Sequence, residues 1–157
     1  MQISIDEALE RVTRAMVGAR VSEENARAVA QALVLAEASG QGGHGLRRLP
    51  SYRAQSLSGK VDGFARPTCD RPRPGVLRID AGLGFAYPAL DLALRELPGM
   101  AKACGIAIAA IRRSHHAGGI VRLFLFGGAL GLCRSLWAEP FSHARPKAER
   151  VSPGMPV

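Results

Sequence analysis

Apolar residues recur three and four apart at Ile5, Ala8, Leu9, Val12 and Met16, behind a Ser4-Ile-Asp-Glu7 capping box. That spacing predicts a helix, with Gly18 ending it. Ser22-Glu-Glu-Asn opens a second, alanine-rich helix to about Ser39, where Gly40 and the Gly42-Gly43 pair stop it. Two helices joined by so short a turn make a helical hairpin. Leu46 to Leu57 reads as a third, shorter helix. Residues 58–74 hold Gly59, Gly63, Pro67, Pro72 and Pro74 and predict an extended crossing loop. The pattern then changes period. Val76 to Asp80 alternates as a half-buried strand does, and Ala81-Gly-Leu-Gly turns into a helix from about Tyr87 to Cys104. Pro98-Gly99 is expected to kink or split that helix. Ile106 to Ile111 is a short apolar run typical of a buried strand. The order helix, helix, helix, strand, helix, strand implies an α/β protein with a helical N-terminal section.

Composition changes little in this picture. The 157 residues are 47% hydrophobic and 22% charged, enough apolar material for a packed core. The net charge of +8 raises a nucleic-acid hypothesis. Its distribution argues against one: residues 1–111 carry 14 Lys+Arg against 11 Asp+Glu, whereas residues 112–157 carry seven against two. The excess therefore sits in the last third, without the interleaved aromatics of a base-stacking surface. Cys69, Cys104 and Cys133 form neither a CxxC pair nor a metal-ligand pattern, and free thiols in a reducing cytoplasm are the expectation. The acidic, amphipathic N-terminus is not that of a signal peptide, and no apolar run reaches the ~18 residues of a membrane span.

Three segments carry candidate chemistry. Gly82-Leu-Gly84 follows a strand and opens a helix, but Tyr87 stands where a dinucleotide fingerprint needs its third glycine. A tight strand-to-helix turn explains both glycines. In the second segment, His44 lies between Gly43 and Gly45 ahead of Arg48 and Tyr52. If helical spacing holds from position 44, Arg48 and Tyr52 share its face. An Arg can clamp the carboxylate of a 2-oxo acid while a His exchanges a proton with its oxygen; a turn followed by a basic surface helix is the plainer reading. The third segment, Ser114-His115-His116-Ala-Gly118, lies at the carboxyl end of a strand, where α/β folds place sites. Adjacent histidines diverge on regular structure, so at most one is expected to act directly. A surface loop with incidental histidines is the alternative. No metal site is expected, because only His44 and His143 remain as further imidazole ligands.

Taken in order, these segments resemble the malate/L-lactate dehydrogenase family of 2-hydroxyacid oxidoreductases, which also includes ureidoglycolate, sulfolactate and diketogulonate enzymes. The resemblance lies in the N-terminal helical pair and in His44-Gly45-x-x-Arg48-x-x-x-Tyr52. It continues through Gly59-Lys-Val61, Asp80-Ala-Gly82 and Ser114-x-His116-x-Gly118, and covers roughly residues 1–120. It implies an α/β fold in which a helical hairpin is followed by part of a non-Rossmann malate/L-lactate dehydrogenase-type sheet domain. It also implies hydride transfer between NAD or NADP and C2 of a 2-hydroxy/2-oxo acid, in a cytoplasmic homodimer. His44 and His116 would line the active site, one of them as general acid/base. Arg48 would bind the substrate carboxylate, with Tyr52 shaping the pocket. Ser114, His115 and Gly118 would lie near the nicotinamide.

There are departures. Gly42-Gly43 stands where the family usually has Asp-Ser, and the chain after Gly118 does not follow the family. Three sections are expected: a helical section over 1–58, a partial dehydrogenase domain over 59–120, and an atypical tail over 121–157. The tail is read as disordered or frameshifted, or as a simple truncation. A truncated and inactive product that binds dinucleotide weakly is the expectation. The alternatives are a small basic module for nucleic acid and a non-catalytic dimerisation partner.

Overall fold

The computed structural model describes residues 3–117, and the expectations for Gly118 and for residues 121–157 lie outside that range. Helix α1 (Ile5–Val17) starts where the Ser4 hydroxyl accepts the Glu7 N–H at 3.1 Å, and it buries Ala8, Val12 and Met16. It stops at Val17, but Gly18 is not the residue that reverses the chain. Gly18 has φ −64°, and the left-handed residue is Arg20 at φ 63°. Helix α2 (Glu23–Ala38) begins on a second serine cap, with Ser22 Oγ accepting the Asn25 N–H. Its alanines, with Val29, Leu33 and Val34, are buried on nearly every side, which makes α2 the central helix of the core. At its end Gly40 takes φ 76° and the Gln41 N–H reaches back to the Ala36 carbonyl, a glycine-dependent helix stop.

A 3₁₀ turn (Leu46–Arg48) leads into α3 (Leu49–Leu57). The chain beyond α3 crosses the start of α2, where the buried Asn25 side chain donates to the carbonyls of Gly63 and Ala65, both at 2.9 Å. The segment expected to be all loop then contains a strand, β1 (Thr68–Arg73). It pairs antiparallel with β2 (Val76–Asp80), with an irregularity between Asp70 and Arg73 at Pro72. All six of its residues are exposed, so no hydrophobic alternation marked it. An edge position and a bulge are where a sheet tolerates proline.

Helix α4 (Ala86–Cys104) leads to strand β3 (Ile108–Arg112), and among the described residues the sheet has three strands in the order β1-β2-β3, with β2 and β3 parallel. Leu77 and Ile79 of β2 pack against Ala89, Ala93 and Met100 of α4. The proline-glycine pair does not split α4, which runs through Pro98. Pro98, which is half-buried, lacks the N–H that would bond the Leu94 carbonyl four residues back, yet the helix continues through it. Strand β3 is not the buried strand expected. Ala107, Ala109 and Ile111 pack toward α4, but Ile106 is 79% and Ile108 62% exposed, because none of the described elements covers their side of β3. Among the described residues no helix is long and apolar enough to cross a membrane.

Candidate active site

The site grows from the turn after β2. Gly82 at φ 62° and Leu83 at φ 64° reverse the chain, and a side chain at Gly84 would come within 2.7 Å of Ala65 Cβ. Backbone conformation and close packing therefore account for both glycines of Gly82-Leu-Gly84. The exit of β3 is tied to the same turn: Leu83 N–H donates to the Arg113 carbonyl at 2.7 Å and His115 N–H to the Gly84 carbonyl at 2.9 Å. Arg113 is itself left-handed at φ 51°. Two non-glycine residues in this region, bonded to each other, store on the order of 1–2 kcal/mol each. Beyond this turn Ser114, His115 and His116 face the same cavity as residues of α3.

Between α3, the loop after it and residues 113–116 lies a cavity of about 450 Å³. Arg48, Tyr52, Ser114, His115 and His116 line it, so residues 60 or more positions apart in the chain come together there. His44 does not line it and is exposed. Helical spacing from position 44 fails because His44 sits in a turn, its N–H bonded to the Gln41 carbonyl, and the following 3₁₀ turn advances three residues per turn. His44 is still near the rim, since its charge is felt at His116. Four lining residues escaped the sequence reading: Ser51, Gln55, Lys60 and Arg113. Gln55 was within reach of it, seven positions after Arg48 and three after Tyr52 on one helical face.

The two adjacent histidines differ in state. The His115 ring lies edge-on to Tyr52 at 5.1 Å and to Phe85 at 5.7 Å, with Nε2 2.8 Å from Gln55 Oε1. With that oxygen as acceptor, Nε2 carries the proton, and Nδ1 is buried with no partner among the described residues. Burial, helped by the charges of His116 and Lys60, pushes His115 down to about 4. His116 lies further out and is also shifted down, first by burial and then by Arg48 and His44.

The Tyr52 hydroxyl is not open to a ligand. It is buried 3.2 Å from the Tyr87 hydroxyl, and burial pushes its ionisation far up. Arg48 Nε donates to the Gly43 carbonyl at 2.7 Å, which aims the guanidinium while its terminal nitrogens keep their donors. Arg113 pairs with Asp80 at 2.8 Å, a carboxylate that also bridges Arg112 at 2.9 Å. The hydrogen bond from Arg113, then that from the Gly82 N–H, hold the Asp80 carboxyl below the usual range. Among the described residues no group of three or more His, Cys, Asp or Glu could hold a metal ion.

The low value for His115 has a sign. The unfolded chain takes up a proton near pH 6.5 and the folded chain near 4, so the neutral ring contributes its full stability above about pH 6.5. That contribution is lost as pH falls through the window from 6.5 to 4. The loss is on the order of 1–2 kcal/mol, because solvent reaches part of the ring and screens the charge. An NMR titration of the imidazole protons should give a midpoint near 4 for His115; a midpoint at 6 or above would show that the aromatic enclosure does not exclude water.

The sequence profile of the malate/L-lactate dehydrogenase family matches residues 3–125. The chain belongs to that family. Family relatives include a Δ1-pyrroline-2-carboxylate/Δ1-piperideine-2-carboxylate reductase of Pseudomonas putida, 42% identical over 60% of this chain and 28% of that protein. A (2R)-3-sulfolactate dehydrogenase (NADP+) of Chromohalobacter salexigens is 37% identical over 74% of this chain and 34% of its own length. Among solved structures, the Δ1-piperideine-2-carboxylate reductase of Pseudomonas syringae superposes with a TM-score of 0.74 at 35% identity, over 76% of this chain and 36% of that one. Malate dehydrogenase of Pyrococcus horikoshii gives 0.76 at 27%, over 83% and 38%. The chain thus spans about a third of the length of the curated relatives it matches. Its four helices and three strands, among the described residues, are part of the family's α/β domain.

Proposed function

We propose that this chain carries the carboxylate-binding and proton-exchanging half of an NAD(P)-dependent oxidoreductase site, acting at C2 of a small 2-carboxylate. The single observation that carries this reading is the cavity. It gathers the Arg48 guanidinium and the His116 imidazole, and no acidic residue is among its described lining residues. The terminal nitrogens of Arg48 match the two oxygens of a carboxylate. His116, held mostly neutral, accepts the proton of a 2-hydroxyl in the oxidative direction and returns it to the heteroatom in reduction. His44, outside the cavity wall, is a weaker candidate for that step. The 2-oxo acids and the cyclic 2-imino carboxylates named for the relatives share this demand: a cation for the carboxylate and a proton for the oxygen or nitrogen next to C2.

The nicotinamide cofactor supplies or accepts the hydride. A cavity of about 450 Å³ suits a small acid beside a nicotinamide ring and is too small for a whole dinucleotide. Ser114 and His115 are the residues that would border the ring. The basic-module alternative loses some support because six of the described arginines, Arg11, Arg27, Arg71, Arg78, Arg112 and Arg113, bridge to carboxylates.

Calorimetric titration of the full chain with lactate and with proline tests the reading without requiring turnover. Arg48→Gln is expected to weaken both acids by roughly tenfold or more, the loss of a charge-assisted bidentate contact. Arg48→Lys should recover only part of it. Affinities that ignore Arg48 would refute the carboxylate site.

A further inference from the structure

We propose that Lys60 is a second anion-reading residue of this cavity, selecting substrates that carry another acidic group beyond the carboxylate held by Arg48; the inference rests on the carboxylate-site reading of Arg48. Three full cations line the cavity: Arg48, Lys60 and Arg113. Arg113 has an ion-pair partner in Asp80, which it shares with Arg112. Arg48 spends one nitrogen on a neutral carbonyl and keeps its charge. Among the described residues Lys60 has no ion-pair partner, and no carboxylate faces it across the cavity.

Its place on the wall is built. Gly59 turns the chain at φ 73° with its N–H on the Ser56 carbonyl, and the Val61 N–H returns to the Gln55 carbonyl at 3.1 Å. The Val61 side chain is 2% exposed and anchored in the core. Lys60 is therefore held between a fixed turn and a buried anchor, just past the C-terminal end of α3, while Arg48 caps the N-terminal end of the same helix. Its charge already reaches the His115 ring across the same space.

Two uncompensated cations facing one cavity repel each other, and an anion between them removes the repulsion. One carboxylate satisfies the guanidinium of Arg48. A second acidic group on the ligand satisfies Lys60. The class so selected is the dianionic 2-hydroxy or 2-oxo acid, unlike the singly carboxylated cyclic imines named for several relatives. A phosphate of the cofactor shares this chemistry and is separated from the substrate by the test.

Calorimetry on the full chain at low ionic strength compares lactate, malate and NADPH. Malate should bind more tightly than lactate by roughly fivefold, the effect of one partly exposed ion pair. Lys60→Gln should bring the two affinities together by weakening malate much more than lactate, and Lys60→Arg should keep the preference. A ratio untouched by Lys60→Gln, or equal weakening of both acids, overturns the role of Lys60. So does a loss confined to NADPH, which would assign the lysine to the cofactor. Arg48→Gln separates the two readings. Lactate binding that falls in Arg48→Gln, with a ratio indifferent to Lys60, removes this inference alone. Lactate binding indifferent to Arg48, or absent altogether, removes both.

Discussion

Gly63→Ala is expected to lower stability by about 3 kcal/mol or more, the upper range for forcing a group into a packed site. A β-carbon at position 63 would collide with the Arg20 carbonyl and stand 2.9 Å from Val21 Cα and from Ser56 Oγ. Most of what it meets is backbone and cannot rotate away. Val21 is 2% exposed, and Arg20 already holds a left-handed conformation. Nor can the loop withdraw cheaply, because the Gly63 carbonyl accepts both the Ser22 N–H at 3.0 Å and the Asn25 side chain. Displacing it would leave a buried amide donor short of a partner. Gly99→Ala is the matching control: its β-carbon meets nothing within 4 Å, in a helix where alanine outranks glycine. Urea unfolding should show a large fall in midpoint for Gly63→Ala and none for Gly99→Ala. Equal midpoints would mean that the loop does not pack on the first helical turn as described.

Phe85→Ala should cost about 3–5 kcal/mol, the usual loss for a buried phenylalanine, and should also move the His115 titration upward. The Phe85 ring is 2% exposed and lies 5.8 Å from Tyr52 and 5.7 Å from His115. It is one wall of the enclosure that keeps water from the imidazole. Burial is the leading cause of the low value of about 4, so removing that wall should bring the midpoint toward 6.5. Phe85→Leu keeps most of the volume and should keep most of the depression. A folded Phe85→Ala chain with an unmoved His115 midpoint would show that the neighbouring charges, not the aromatic wall, set the ring's state.

Much of the chain was readable without coordinates. Ser4 and Ser22 announce their helices because a cap is a contact over three residues. The 3.6-residue period located α1; Arg48 and Tyr52 drew attention through residue type, and His116 was singled out from its neighbour only through the family resemblance. The unsplit course of α4 through Pro98 and the left-handed Arg20 were not legible, for the opposite reason. A proline weakens a helix locally, but burial on either side of it is not written locally. Gly18 ends α1 as its position suggested, but the left-handed residue of the turn is Arg20, which no local signal marks.

The sequence by itself determined the helical segments, the change to a strand period at Val76 and the family of the chain. Each of these rests on neighbours a few residues apart or on an ordered set of short motifs. Tertiary structure alone decided that Thr68–Arg73 is a strand, since six exposed residues with a proline pair only because β2 offers them an edge. It also decided that His44 stands off the cavity wall while Gln55 and Lys60 stand on it, and that His115 is enclosed where His116 is not. Gln55 and His115 are 60 residues apart. Contacts across such a separation depend on how whole elements pack, and burial sets a histidine's charge only once that packing exists.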